Sequence, residues 1–226
     1  MTPWREWRRR RAQRHCRLPP EAEALAVPLP VSTTPFEALP VLALDFETTG
    51  LDPARDRILS AGWVPIDGGR LCMGGAREVR VRPQGEAGVG QSATIHGLFD
   101  SDLAGASDER ALLDALLPAL AGRAIAAHAA GIERGFLRAL LRRHGGVSLP
   151  NPFIDTLALA HTLLEGSGGR ADAQGALTLA AARARHGLPP HTQHSAVADA
   201  MACAELLLAQ VEAMGGGAKV RLRDLD

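Results

Sequence analysis

Two carboxylates stand at the end of a strongly apolar segment. Asp45 and Glu47 follow the run Val41-Leu42-Ala43-Leu44 and lead into a loop rich in threonine and glycine. An apolar run of this length predicts a buried strand, in which residues two apart share one face. Carboxylates this close repel each other, and a divalent cation or a basic partner is needed to keep both ionised. Because the motif contains no Lys, Arg, Cys or His, we expect a hard cation, Mg²⁺ or Mn²⁺ rather than zinc.

A third carboxylate lies near the other end of the chain. Asp199 belongs to a helix predicted over residues 195–213, and the apolar residues one turn further on indicate that its carboxylate is half buried and needs a cation or a donor. His194 directly precedes Ser195, a plausible N-cap of this helix. A histidine at that edge is able to take a proton near neutral pH. Taken alone, His194 is more simply explained as a surface histidine.

The elements that must position these residues follow from hydrophobic periodicity. Strands predicted at 58–66 and 70–82, joined through a turn at Asp67-Gly68-Gly69, form a three-stranded antiparallel meander with the first strand. Helices predicted over 111–120, 132–141, 155–165, 176–187 and 195–213 alternate with short strands at 124–127 and 152–154. This order predicts an α/β fold with one mixed five-stranded sheet, the meander plus parallel strands, flanked by helices. The ends of parallel strands are where such sheets place ligands.

The charges are unevenly distributed, although the net charge of the 226 residues is zero. Residues 1–20 contain seven arginines and one acidic residue, which leaves 18 basic and 24 acidic residues for the remainder. We therefore divide the chain into a basic arginine-rich arm with a proline-rich linker (1–38), a compact domain (39–213) and a C-terminal tail (214–226). The arm is expected either to contact phosphates or to be a solvated, partly disordered tail.

Several classes of protein are disfavoured by the composition. No apolar stretch approaches the length needed to span a membrane, and no hydrophobic segment follows the arginines as a secretory signal would require. The three cysteines are odd in number and follow no metal-ligand or disulfide spacing. These features predict a cytoplasmic globular protein.

Four segments taken together resemble a single family. Asp45-x-Glu47, the segment from Ala127 to Leu137, Asp155-Thr156-Leu157 and His194-x₄-Asp199 have the order and spacing of DEDDh-type 3′→5′ exonucleases, and are similar to the epsilon proofreading subunit of bacterial DNA polymerase III. The resemblance covers about residues 40–213. It implies a ribonuclease H-like fold, two divalent metal ions and release of nucleoside 5′-monophosphates from a 3′ end.

The resemblance also implies a role for each site residue. Asp45 would bridge both ions, Glu47 and Asp199 would complete the first metal site, and Glu133 would serve the second. His194 would remove a proton from the attacking water.

The same resemblance assigns substrate contacts. Thr48, Thr49 and Leu51 would seat the terminal nucleotide, the first two through its 3′-OH and the leucine by wedging against a base. His96 would contact the same nucleotide, although a structural loop histidine explains it nearly as well.

Two positions depart from the family pattern. The second aspartate of the family is Glu133 in this chain, and the asparagine that usually follows the motif histidine is Ala129. Glutamate keeps the charge with one more methylene, so it either still serves the second metal or weakens metal binding. Asp155 is a conceivable substitute carboxylate, but it is more simply explained as the N-cap of the helix that starts at Thr156.

The predicted function is a metal-dependent 3′→5′ exonuclease acting on single-stranded or frayed DNA 3′ ends. Two alternatives remain open: an exonuclease of RNA or short oligoribonucleotides, and a nucleic-acid-binding or polymerase-associated module with weakened catalysis. A DNA polymerase is a conceivable partner. Because little chain follows the last predicted helix of the domain, we expect a stand-alone enzyme of repair or nucleic-acid turnover.

Overall fold

A mixed β-sheet forms the centre of the computed structural model, which describes residues 3–82, 106–171, 174–191 and 195–226. The strands are β1 (Val41–Thr48), β2 (Ile58–Asp67), β3 (Arg70–Leu71), β4 (Arg77–Arg80), β5 (Ala124–Ala127) and β6 (Phe153–Asp155). Five of them follow the order β3-β2-β1-β5-β6, and β4 also pairs with β2. β1 is antiparallel to β2 and parallel to β5, which is parallel to β6. The predicted α/β class with a mixed sheet is therefore confirmed.

The strand predicted over 70–82 is divided in two, so the described sheet has six strands where the sequence predicted five. Between β3 and β4 the chain makes a short 3₁₀ turn at Met73–Gly75. This detour runs beside Pro65 of β2, which lacks the N–H that a continuous ladder would use. The predicted turn before β3 is confirmed, and both Gly68 and Gly69 have the positive φ (60° and 67°) that a two-residue hairpin loop requires.

Helices cover both faces of the sheet. They are α1 (Pro3–His15), α2 (Pro19–Ala26), α3 (Glu109–Leu120), α4 (Gly131–Arg143), α5 (Thr156–Gly166), α6 (Leu179–Arg185) and α7 (Ala196–Ala213). Alternate residues of β1 supply two separate cores, because successive side chains of a strand point to opposite faces. Leu42 and Leu44 pack into the core that includes α3 and α4, whereas Val41 and Ala43 pack into the core that includes α7. Asp45 and Glu47 continue the second series and therefore lie on the α7 face.

Both terminal segments contact the central fold. Leu18 and Ala24, at and within α2, are buried in the first core, and Leu222 and Leu225 near the C-terminus are buried in the second. The buried guanidinium of Arg9 on α1 donates to the carbonyl of Leu25, which ties α1 to α2. The proposed domain limits, residues 39–213, remain a prediction.

Among the helices of the described ranges, none combines the length and the apolar character needed to traverse a lipid bilayer.

Candidate active site

The end of β1 positions the first two carboxylates. Its burial pattern is continuous except at Asp45, which is partly exposed, and Glu47 is buried with 6% of its surface exposed. The register with β2 shifts between Glu47 and Thr48, so regular pairing ends directly after the second carboxylate. A bulge of this kind re-aims side chains next to a site. The two acidic side chains thus lie together where the central strand leaves the sheet.

A glycine in β2 allows the third carboxylate to reach them. Gly62 is the ladder partner of Asp45, and a Cβ on Gly62 would lie 2.1 Å from the backbone of Ala196 and Val197, the first residues of α7. No side chain fits in this contact, so the first turn of α7 rests directly on the sheet. Asp199 belongs to the same turn and is thereby brought to Asp45. The sequence contained no sign that Gly62 makes this approach.

Asp45, Glu47 and Asp199 form one compact cluster. One carboxylate oxygen from each lies within 4.8 Å of the other two. Burial, and then the charges of Glu133, Glu47 and Asp199, raise the pKa of Asp45 well above its usual value. Burial, together with Asp199 and Glu78, raises the pKa of Glu47 to about 7. Burial and the neighbouring acidic groups therefore disfavour the ionised forms of Asp45 and Glu47 in the metal-free protein.

Glu133 approaches the cluster from the first turn of α4. It is 3% exposed, and its charge acts on Asp45, but among the described residues it is not one of the three with oxygens inside the 4.8 Å group. Its buried Oε2 has no hydrogen-bond partner among the residues that the structure describes. Burial, with a smaller contribution from the charge of Asp155, raises the pKa of Glu133 to about 8. A hydrogen bond from its own backbone amide acts in the opposite direction and lowers this pKa. An unsatisfied buried carboxylate oxygen is costly unless a cation or proton reaches it.

These groups fit a hard divalent cation. All four are carboxylates, the oxygen ligands that Mg²⁺ and Mn²⁺ prefer. The orphaned Oε2 of Glu133 and the raised pKa values identify negative charge that a cation would neutralise. The nearby thiol of Cys203 does not suit this role, because burial raises its pKa to about 12 and keeps it protonated.

The loop after β1 is organised around Asp56. The Thr49 hydroxyl and the Asp52 amide donate to the Asp56 carboxylate over 3.2 and 2.8 Å, and the Thr48 hydroxyl donates to the carbonyl of Gly50 over 2.6 Å. This network leaves Leu51 at the tip with 77% of its surface exposed. A large apolar side chain held out on an ordered loop next to the carboxylates is available to contact a ligand.

The two predicted histidines, His194 and His96, lie outside the described residues. The structure instead reveals His191, whose Nε2 lies 2.9 Å from Oδ1 of Asp199. Sequence reasoning missed this contact because His191 stands outside the recognised spacing, and only its position three residues before His194 could have indicated it. Ser195 occupies the predicted N-cap position of α7, although its side chain makes no capping hydrogen bond.

Asp155 supports the site without joining the cluster. Its carboxylate accepts from the amides of Leu157 and Ala158, which confirms it as the N-cap of α5. It also accepts from the amides of Ala129 and Ala130 over 3.1 Å each. One side chain therefore fixes the start of α5 and the turn that leads into α4, which carries Glu133.

Comparisons with known proteins agree with this geometry. A family model described as Exonuclease matches residues 42–207. The chain is 32% identical over 179 residues to the PolC-type DNA polymerase III of Thermotoga petrophila, covering 79% of this chain and 12% of that protein. It is 29% identical over 189 residues to a DNA polymerase III subunit epsilon-like protein of Rhodobacter capsulatus, covering 81% of this chain and 25% of that protein. The chain thus spans a quarter or less of the length of these relatives.

Solved structures share the fold. Cell-death related nuclease 4 superposes with a TM-score of 0.65 at 15% identity, covering 80% of this chain and 66% of that one. E. coli Exonuclease I in complex with a dT13 oligonucleotide superposes with a TM-score of 0.64 at 18% identity, covering 76% of this chain and 41% of that one. Because the family match spans most of the chain and includes the strand and helix that carry the clustered carboxylates, the resemblance seen in the sequence is confirmed, and the chain belongs to the exonuclease family.

Proposed function

We propose that this protein is a metal-dependent 3′→5′ exonuclease that hydrolyses phosphodiester bonds at DNA 3′ ends and releases nucleoside 5′-monophosphates. The observation that carries the proposal is the convergence of Asp45, Glu47 and Asp199 within 4.8 Å, with Glu133 beside them, in a chain of the exonuclease family.

The proposed roles of the carboxylates follow their positions. Asp45 interacts electrostatically with the other three acids, so it is the residue best placed to contact two ions. Glu47 and Asp199 would hold the first ion with it, and the orphaned oxygen of Glu133 would serve the second. Mg²⁺ or Mn²⁺ ions held by these carboxylates would supply activation of the attacking water and stabilisation of negative charge on the leaving 3′ oxygen.

Further residues are proposed to handle protons and substrate. His194 would accept the proton of the attacking water. The Nε2 of His191 lies 2.9 Å from Oδ1 of Asp199, and we propose that it donates to this carboxylate and orients it. Thr48, Thr49 and the exposed Leu51 would bind the terminal nucleotide, together with His96.

The choice of substrate follows from two of the similar proteins. The Exonuclease I structure named above holds an oligothymidylate, and the polymerase relatives act in a DNA context by their names. We therefore propose single-stranded or frayed DNA as the preferred substrate and a DNA polymerase as a partner. RNA recognition depends on a 2′-OH contact, and the substrate panel below tests it.

The test is a digestion panel over DNA and RNA labelled at the 3′ or the 5′ end, with Mg²⁺, with Mn²⁺ and with chelator. We expect metal-dependent release of mononucleotides from 3′ ends by the parent protein. Asp45→Asn should abolish this activity and leave the fold intact, because it removes a negative charge shared by the whole cluster. The matched control is Asp114→Asn, on the exposed surface of α3. Full activity in Asp45→Asn would refute the metal assignment, and an inactive parent with retained binding would indicate a binding module.

A further inference from the structure

A groove of about 570 Å³ is lined by residues of α1 and of α4, the helix that carries Glu133. Gly131, two residues before Glu133, lines it, and so does Gly135, whose Cβ position would lie 2.8 Å from Pro53 in the loop that presents Leu51. The groove is therefore continuous in space with the loop and the helix that form the site. Its other end lies along the arginine-rich α1.

The groove is strongly basic. Arg5 and Arg8 line it from α1, and Arg134 and Arg138 line it from α4. Asp226 is the acidic residue among the described residues of the lining, and it is paired with Arg5. Arg8, Arg134 and Arg138 form no ion pair with described residues. Most of the body of the chain carries an acidic excess, so this local concentration of positive charge marks the groove as a surface for an anion.

Aromatic side chains adjoin these arginines. Trp4 and Trp7 are 58% and 55% exposed, and the guanidinium groups of Arg8 and Arg11 lie over their rings at 4.8 and 5.3 Å from the ring centres. The second pair lines a shallower depression that shares Trp4 and Arg8 with the groove. Exposed aromatic rings next to arginines that form no ion pair with described residues are the combination that binds single strands, through base stacking and phosphate contacts.

We infer that the groove between α1 and α4 binds the single-stranded part of a nucleic acid whose 3′ end occupies the active site. The bases stack on Trp4, and the phosphates contact Arg8, Arg134 and Arg138. This inference rests on the proposed function. It assigns to the arginine-rich arm the role of a strand-binding element built onto the nuclease.

Binding is measured with fluorescent oligothymidylates of about 4 and about 16 nucleotides, in chelator so that they are not cleaved. We expect the full-length protein to bind the longer probe about tenfold more tightly than the shorter one. The double variant Arg134→Gln/Arg138→Gln should lose most of this gain, and the slope of log K against log salt should flatten by about 1.4. The control Arg70→Gln/Arg185→Gln removes two exposed arginines elsewhere and should keep the slope.

A second variant separates stacking from charge. Trp4→Ala removes an exposed ring, and we expect about tenfold weaker binding of the longer probe with the salt slope retained. Melting temperatures equal to that of the parent establish that each variant is folded. Parental affinity in either variant overturns the inference, and so does equal competition by a duplex of the same length.

The two proposals fail in different ways. If the parent shortens the longer probe with Mg²⁺ while the groove variants bind it unchanged, the groove assignment is wrong and the exonuclease proposal stands. If the parent binds through the groove but never shortens any probe with Mg²⁺ or Mn²⁺, the exonuclease proposal is wrong.

Discussion

Glu133 stands where the family pattern has an aspartate, and its side chain is longer by one methylene. The side chain is long enough to be buried beside Asp45 with one oxygen unpaired, and it stays outside the compact group of three carboxylates. Its raised pKa means that it is partly protonated near neutral pH unless a cation is bound. The substitution therefore keeps a carboxylate at this position, and under the proposed function the ionisation of that carboxylate depends on a bound cation.

The pKa shifts predict that the metal-free protein loses stability as pH rises. Glu133 and Glu47 have pKa values of about 8 and 7 in the folded state, above their usual 4.5, so the folded protein binds their protons more tightly than the unfolded chain. The stability that these two residues contribute to the folded protein is fully present below about pH 4.5, and it is lost as the pH rises through 7 to 8. In chelator, the free energy of unfolding should fall by about a few kcal/mol between about pH 5 and 8.5.

Urea unfolding at several pH values measures this loss, and added Mg²⁺ should suppress it at high pH. Glu133→Gln cannot ionise and should lose less stability over the same range, whereas the exposed control Glu165→Gln should follow the parent. A pH profile identical in Glu133→Gln and the parent would contradict the assignment.

Ala129 explains a second departure from the family pattern. Its φ of 67° is the only positive value at a non-glycine residue within the described part of the chain. An alanine in the left-handed region of backbone conformation is disfavoured by about 1–2 kcal/mol of free energy, whereas asparagine and glycine occupy this region more readily. The asparagine found at this position in the family thus suits the backbone, and this chain tolerates alanine there at a cost in stability.

Replacing Ala129 by glycine should therefore stabilise the protein by about 1 kcal/mol, in urea unfolding at neutral pH. The neighbouring Ala130 has a φ of −52° and is buried, so Ala130→Gly should destabilise the protein instead. The two variants remove the same methyl from adjacent residues, and effects of the same sign would refute the backbone explanation.

At the scale of elements, the site depends on how closely α7 approaches the sheet. The contact is made between backbone atoms at Gly62 and at the start of α7, so no side chain can adjust to an addition there. Asp199 follows within the first turn of α7. A displaced helix would withdraw one of the three clustered carboxylates from the other two.

Gly62→Ala should accordingly reduce exonuclease turnover by more than about tenfold and weaken Mg²⁺ binding, because core insertions force shifts costing about 1–3 kcal/mol. Turnover and a Mg²⁺ titration of activity measure the effect. Gly74→Ala is the matched control, since a Cβ at Gly74 meets nothing within 4 Å. Normal turnover and metal affinity in Gly62→Ala would show that α7 can move without harm to the site.

At the scale of the whole molecule, the arginine-rich segment is joined to the core. Leu18 and Ala24 are buried in the same cluster as α3 and α4, and the carboxylate of Glu21 accepts from the amide of Val147 over 2.8 Å. The segment before residue 39 is thus held by apolar packing and by backbone contacts. This attachment fixes the position of α1 beside α4.

Shortening the buried side chain of Leu18, which attaches the arginine-rich segment to the core, should destabilise the entire fold. Leu18→Ala removes a side chain that is 4% exposed, and we expect a loss of about 2–4 kcal/mol in a single unfolding transition. Denaturant unfolding followed by circular dichroism measures it. Val31→Ala, at a site that is 37% exposed, should change stability far less. A parental midpoint in Leu18→Ala would show that the arm is a passive tail.

Local patterns in the sequence were enough to predict most of the strands, the pair Asp45 and Glu47, the helix with Asp199 and the N-cap at Asp155. These features depend on periodicity, capping and spacing, which are properties of residues close together in the sequence. The sequence also carried the family resemblance, because that depends on the order of short motifs.

Four features became visible in the folded protein alone: the approach of α7 at Gly62, the contact of His191 with Asp199, the Glu133 oxygen without a hydrogen-bond partner among the described residues, and the groove between α1 and α4. Each arises where segments distant in the chain meet. Such contacts are set by packing and by the exclusion of water, which no local pattern encodes.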